Sequence, residues 1–212
     1  MMRRRAALLP LFTSTAALAI ALTFVWRAPA QSVGPAAPTA PAAPTTPAAP
    51  IAAQGEGETA YLVVHRVLMS PRCMNCHPSG DAPLHGDVPV PHSMNVTRKS
   101  SESSMACTTC HRAKNGTREG SPPGVFPEWR MPTREHPLVF QGMSARGLCE
   151  QLKDPTRNGG KTLAGLVEHV GHDSLVLWGW APGPGRTLPP VSHETFVKAF
   201  ETWAKAGAPC PR

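Results

Sequence analysis

The chain has 212 residues, with 21 Lys and Arg against 14 Asp and Glu for a formal charge of +7. Arg3, Arg4, Arg5 and Arg27 all lie in the first 30 residues, so residues 31–212 carry 17 cations against 14 anions, a net +3. That small surplus, with no basic run interleaved with aromatics, argues against nucleic acid as a partner, and 25 prolines with one tyrosine point to helices and loops rather than sheet.

The chain opens with the three arginines, an apolar run over residues 6–26, and Ala28-Pro29-Ala30, a small-x-small cleavage pattern. Residues 1–30 therefore read either as a signal peptide cut after Ala30 or as an N-terminal membrane anchor. The apolar run, about 20 residues, is long enough to act as a tether. Both readings put the remainder outside the cytoplasm, in the periplasm, because the positive end stays inside. Residues 31–55 follow as a Pro/Ala-rich linker. Its prolines at 35, 38, 41, 44, 47 and 50 match the three-residue turn of polyproline II. The folded domain is expected over residues 56–212.

That domain opens with a helical pattern, ETAYLVVHRVLM, carrying His65. Next comes RCMNCHPSGD, in which Cys73, Cys76 and His77 form Cys-x-x-Cys-His; ACTTCHRAKNG repeats the pattern with Cys107, Cys110 and His111. Three chemistries use such cysteine pairs. Zinc needs four thiolate or imidazole ligands but no histidine directly after the second cysteine. A redox dithiol needs one pair, set between a strand and a helix, and neither pair follows a strand pattern. Covalent attachment of a c-type haem uses the whole pattern. Each cysteine adds to one porphyrin vinyl group, two intervening residues match the sulfurs to the vinyl separation, and the next residue offers its imidazole to the iron. Two copies behind an export leader point to two haems c, with His77 and His111 as proximal ligands.

The distal ligand decides whether an iron passes electrons or binds a small molecule. His92 lies between the motifs in VPVPHSMNV, where Pro89 and Pro91 favour an extended chain that fixes one imidazole and sends Met94 to the other side. His136 lies in PTREHPLVF. SARGLCEQLKD reads as a helix capped by Ser144 that carries Cys149. TLAGLVEHVGHD reads as a helix whose apolar stripe borders His169, with His172 near its exposed end. WGWAPGPGR is a Gly/Pro-rich loop without a nucleotide fingerprint. The last helix, after Ser192, carries Phe196, Phe200 and Trp203 inward, and Gly207 ends it before Cys210. His85 and His193 read as exposed. The distal candidates are His92 and His169, then His136. In an oxidising compartment the two remaining cysteines, Cys149 and Cys210, are expected to pair.

Through its two motifs the chain resembles the dihaem and multihaem cytochromes c. PRCMNCHPSGDAPLHGD, PHSMNV, QLKDPTRNGGKTL and LVLWGWAPGPGR extend the likeness over nearly all of residues 62–211. They are similar to a family of exported bacterial cytochrome-like proteins often labelled as a subunit associated with isoquinoline 1-oxidoreductase, a molybdenum hydroxylase. The resemblance implies redox-protein partners, with such a hydroxylase as one candidate. The expected fold is mainly α with extensive loops, a small multihaem cytochrome in which two covalent haems form much of the core. The expected work is electron transfer; the alternative is a dihaem enzyme, or a gas- or peroxide-reactive protein, with one open iron.

Overall fold

The computed structural model describes residues 51–103, 105–125 and 129–212. The leader and residues 31–50 of the linker lie outside the described residues. The fold is mainly helical. Helix α1 spans Ile51–Leu68, α2 Pro71–Met74, α3 Arg98–Ser103, α4 Ala145–Lys153, α5 Leu163–His172, α6 Ser174–Trp178 and α7 His193–Lys205. Strands β1, Leu84–His85, and β2, Val90–Pro91, make one antiparallel pair with Leu84 opposite Pro91 and His85 opposite Val90. α1 starts at Ile51, five residues inside the expected linker. Pro50 is the last proline of the linker, and the Ala52-Ala53-Gln54 that follows favours a helix. No helix among the described residues is long and apolar enough to cross a membrane.

Four helices build the core from apolar stripes at helical spacing. α1 buries Tyr61, Val64, Val67 and Leu68; α4 buries Leu148 and Leu152; α5 buries Leu166 and Val170; α7 buries Phe196, Phe200 and Trp203. α1 lies along α7. Their approach needs Gly57, since a Cβ there would stand 2.6 Å from the Ala206 Cβ and 2.8 Å from the Pro209 Cγ. Side-chain caps set the starts of the last four helices. Ser144 accepts from the Gly147 N–H at 3.1 Å, Thr162 from Gly165 at 3.1 Å, Asp173 from Leu175 at 2.8 Å and Ser192 from Thr195 at 3.2 Å. Cys149 and Cys210, 61 residues apart, form a disulfide that ties the C-terminal tail to α4.

Residues 75–137 are built differently. Among the described residues, the apolar side chains fully buried there are Pro78 and Val125. Hydrogen bonds to backbone carbonyls hold this lobe instead. Arg98, 3% exposed, donates to the carbonyls of Pro132 at 2.6 Å, Pro78 at 3.2 Å and Gly80 at 3.3 Å. Arg72 joins α2 to the hairpin through Asp87 at 2.5 Å and the Gly86 carbonyl at 3.2 Å. Asn115 accepts from the Gly124 N–H at 2.8 Å and donates to the Ala181 carbonyl at 2.8 Å. Arg186 reaches the Ser121 and Pro182 carbonyls.

Candidate functional site

The first motif begins on α2. Ser70 stands before it and Pro71 occupies the first turn, where its missing N–H costs nothing. The turn continues through the motif, because the Cys76 N–H donates to the Cys73 carbonyl at 3.2 Å and the His77 N–H to the Met74 carbonyl at 3.0 Å. The His77 Nδ1 lies 2.8 Å from the Leu138 carbonyl, and its ring stacks on Phe140 with centroids 3.9 Å apart. A carbonyl only accepts, so Nδ1 carries the proton and Nε2 keeps its lone pair. Burial, with the positive field of His169 and Arg98 adding to it and the Leu138 bond opposing it, pulls His77 down to about 4. It is therefore neutral near pH 7, as a metal-binding imidazole must be.

The second motif sits on a single 3₁₀ turn, Cys107–Thr109, and the His111 N–H donates to the Cys107 carbonyl at 3.0 Å. The His111 Nδ1 lies 2.9 Å from the Pro123 carbonyl, which repeats the arrangement at His77. An open cavity of about 970 Å³ adjoins this motif, lined by Thr108, Thr109, Cys110, His111, Arg112, Ala113 and Val125. It lies at the upper end of the range of roughly 300–1,000 Å³ usual for ligand sites. The Trp129 ring lies 6.1 Å from that of His111 and 4.6 Å from that of Trp178, with its Nε1 buried and without a partner.

The hairpin brings His92 to this motif. Its N–H donates to the Pro83 carbonyl at 2.8 Å, and its Nδ1 lies 2.7 Å from the Ser93 carbonyl. The ring centroid is 6.1 Å from that of His111. Two imidazoles on opposite sides of one metal ion, with metal–nitrogen bonds of about 2 Å, hold their centroids roughly 6 Å apart. Any angle between the ring planes is allowed about that axis, and here it is 53°. The prolines predict an extended loop, but the chain is not extended at Met94. Met94 and Asn95 have φ of 67° and 53°, a left-handed turn that leaves Met94 72% exposed.

His169 lies in the last turn of α5 with its Nδ1 3.2 Å from the Asp173 Oδ2, and it lies close enough to His77 to depress that ring's basicity. Burial lowers its own pKa against the pull of Asp173. His136 is exposed, with its Nδ1 3.0 Å from the Thr156 carbonyl; no ring contact joins it to either motif among the described residues. His172 pairs with Glu168 on the surface at 3.7 Å. His193, expected to be exposed, is half-buried. Its Nε2 meets the Val170 carbonyl at 2.8 Å and its ring packs edge-on against Trp180, so it joins α7 to α5.

No disulfide joins the four motif cysteines in the structure. Burial raises Cys73 to about 12 and Cys76 to about 11, with the neighbouring Cys107 adding to the effect at Cys76. Those shifts run opposite to the lowered pKa of a reactive dithiol. Among the described residues no three His, Cys, Asp or Glu side chains gather around one point, whereas a structural zinc site uses four. Leu138, Pro123 and Ser93 were not legible as site residues, because they act through backbone carbonyls. Asp173 was legible only as the residue four places after His169. No protein-family model, curated protein or solved structure matches the chain.

Proposed function

We propose that this chain is an exported electron-transfer protein of the dihaem cytochrome c type. One haem c is held by Cys73, Cys76 and His77, the other by Cys107, Cys110 and His111. The observation that carries the reading is the His92–His111 pair: centroids 6.1 Å apart, with both Nδ1 atoms committed to carbonyls. That leaves an Nε2 lone pair on each of two neighbouring rings, a pair that would hold one iron rather than a four-ligand cage. His169 is the proposed distal partner of His77 because it lies near enough to act on that ring and its Nδ1 is committed to Asp173, while His136 is exposed.

Cys73 and Cys76 would hold one haem, and Cys107 and Cys110 the other, through thioether bonds to its two vinyl groups. The haems supply one-electron iron chemistry when bound. The chain's own part is to aim the four imidazoles and to bring the motifs together, as the field of Cys107 at Cys76 indicates. Two imidazoles per iron imply low potentials relative to methionine-ligated haems. The partners are redox proteins, with a molybdenum hydroxylase as donor and a respiratory acceptor as the pair suggested by the sequence resemblance.

The test is an optical spectrum of the protein produced with a haem-attachment system, taken oxidised, reduced, and reduced with carbon monoxide. Two covalent haems, low-spin in both states and inert to carbon monoxide, are expected. Half the haem binding carbon monoxide would mean one open iron and would favour an enzyme or sensor. Protein carrying zinc and no covalent haem would overturn the reading.

A further inference from the structure

We infer that Asp173 selectively lowers the reduction potential of the haem iron at the first motif, acting as a positioning residue through His169. The inference rests on the dihaem reading. Of the four imidazoles assigned to iron, three place Nδ1 against a neutral carbonyl: His77 on Leu138 at 2.8 Å, His92 on Ser93 at 2.7 Å and His111 on Pro123 at 2.9 Å. His169 alone meets an anion, the Asp173 Oδ2 at 3.2 Å. A carboxylate on the far nitrogen of a ligating imidazole fixes its tautomer and orientation and raises its basicity. A more basic ligand favours the oxidised iron over the reduced one.

The carboxylate is held in place from its other side. Its Oδ1 caps α6 by accepting from the Leu175 N–H at 2.8 Å, so it cannot turn from His169 without giving up the cap. Backbone joins the same corner, since the Asp173 N–H donates to the His169 carbonyl at 3.1 Å. One residue thus links the end of α5, the start of α6 and the distal ring. Arg98 and Lys161 also act on these rings through space, but they are the same in wild type and variant.

The experiment is a spectroscopic redox titration of the two-haem protein and its D173N, D173A and H169A variants. Asn retains a capping oxygen and removes the charge. In D173N one of the two potentials is expected to rise by about tenfold in the reduction equilibrium, ~59 mV for one electron, and the other to stay. The haem that moves is the one that turns high-spin in H169A. If D173N leaves both potentials unchanged while both haems stay low-spin, the inference is wrong. If only D173A moves a potential, the role of Asp173 is the cap alone and the inference also fails. If H169A leaves both haems low-spin, His169 is not a ligand; that sinks the inference and leaves the dihaem reading standing. Absence of covalent haem would instead remove the reading beneath it.

Discussion

The helical scaffold, residues 51–74 and 138–212, is held by side chains packed on side chains, with Trp203 touching Tyr61 and Phe200 at ring distances of 5.1 and 5.2 Å. The lobe of residues 75–137 carries the second motif, His77 and His92, and is held by polar side chains on backbone carbonyls. A fully buried Leu, Val or Phe contributes roughly 1.5–3 kcal/mol, whereas a typical hydrogen bond contributes a net 0.5–1.5 kcal/mol. The scaffold can therefore stand on its own packing, while the lobe depends on polar contacts and has little apolar interior of its own. The expected fold put much of the core in the haems; the described structure gives the scaffold a side-chain core of its own.

The strongest way to break this contrast is W203A. Trp203 is 0% exposed, and its Nε1 donates to the Pro209 carbonyl at 3.0 Å. Truncation is expected to cost about 3–5 kcal/mol, read as a lower urea midpoint. That is a large part of the stability of a domain this size. A loss under about 1 kcal/mol would mean that this packing does not hold the scaffold.

The disulfide sharpens the same point. Removing it with the paired change C149S and C210S is expected to cost about 2–4 kcal/mol by freeing a long loop in the unfolded chain. Both cysteines belong to the scaffold. The expected signature is a lower thermal midpoint with the haem spectrum unchanged. A change in haem spin state would show that the bridge supports the lobe as well.

Much of the scaffold was legible because its rules are periodic. Ser144 and Ser192 announced their helices, and Phe196, Phe200 and Trp203 fell three or four apart, as an inward stripe must. The cysteine motifs were legible as a repeated spacing, Cys-x-x-Cys-His twice. The lobe was less so. Nothing in the residue names assigns His77 to the Leu138 carbonyl or His111 to that of Pro123, since every residue has a carbonyl. His193 misled for a related reason: its partner, the Val170 carbonyl, lies on another helix.

The smallest effect tests whether the two regions unfold together. α3 in the lobe starts with a reciprocal cap: Thr97 Oγ1 accepts from the Ser100 N–H at 3.2 Å, and Ser100 Oγ accepts from the Thr97 N–H at 2.7 Å. α4 in the scaffold starts with the Ser144 cap on Gly147. Both T97A and S144A remove a cap worth about 1 kcal/mol. In S144A that loss falls on a helix whose Leu148 and Leu152 lie in the core, so it should lower the global urea midpoint. In T97A it falls on a helix fixed to the lobe by carbonyl contacts, so it should open locally. Amide exchange over residues 97–103 is expected to rise about fivefold, with the global midpoint unchanged. Equal midpoint shifts in the two variants would show that lobe and scaffold form one cooperative unit, and the lobe would then draw on the helical core for its stability.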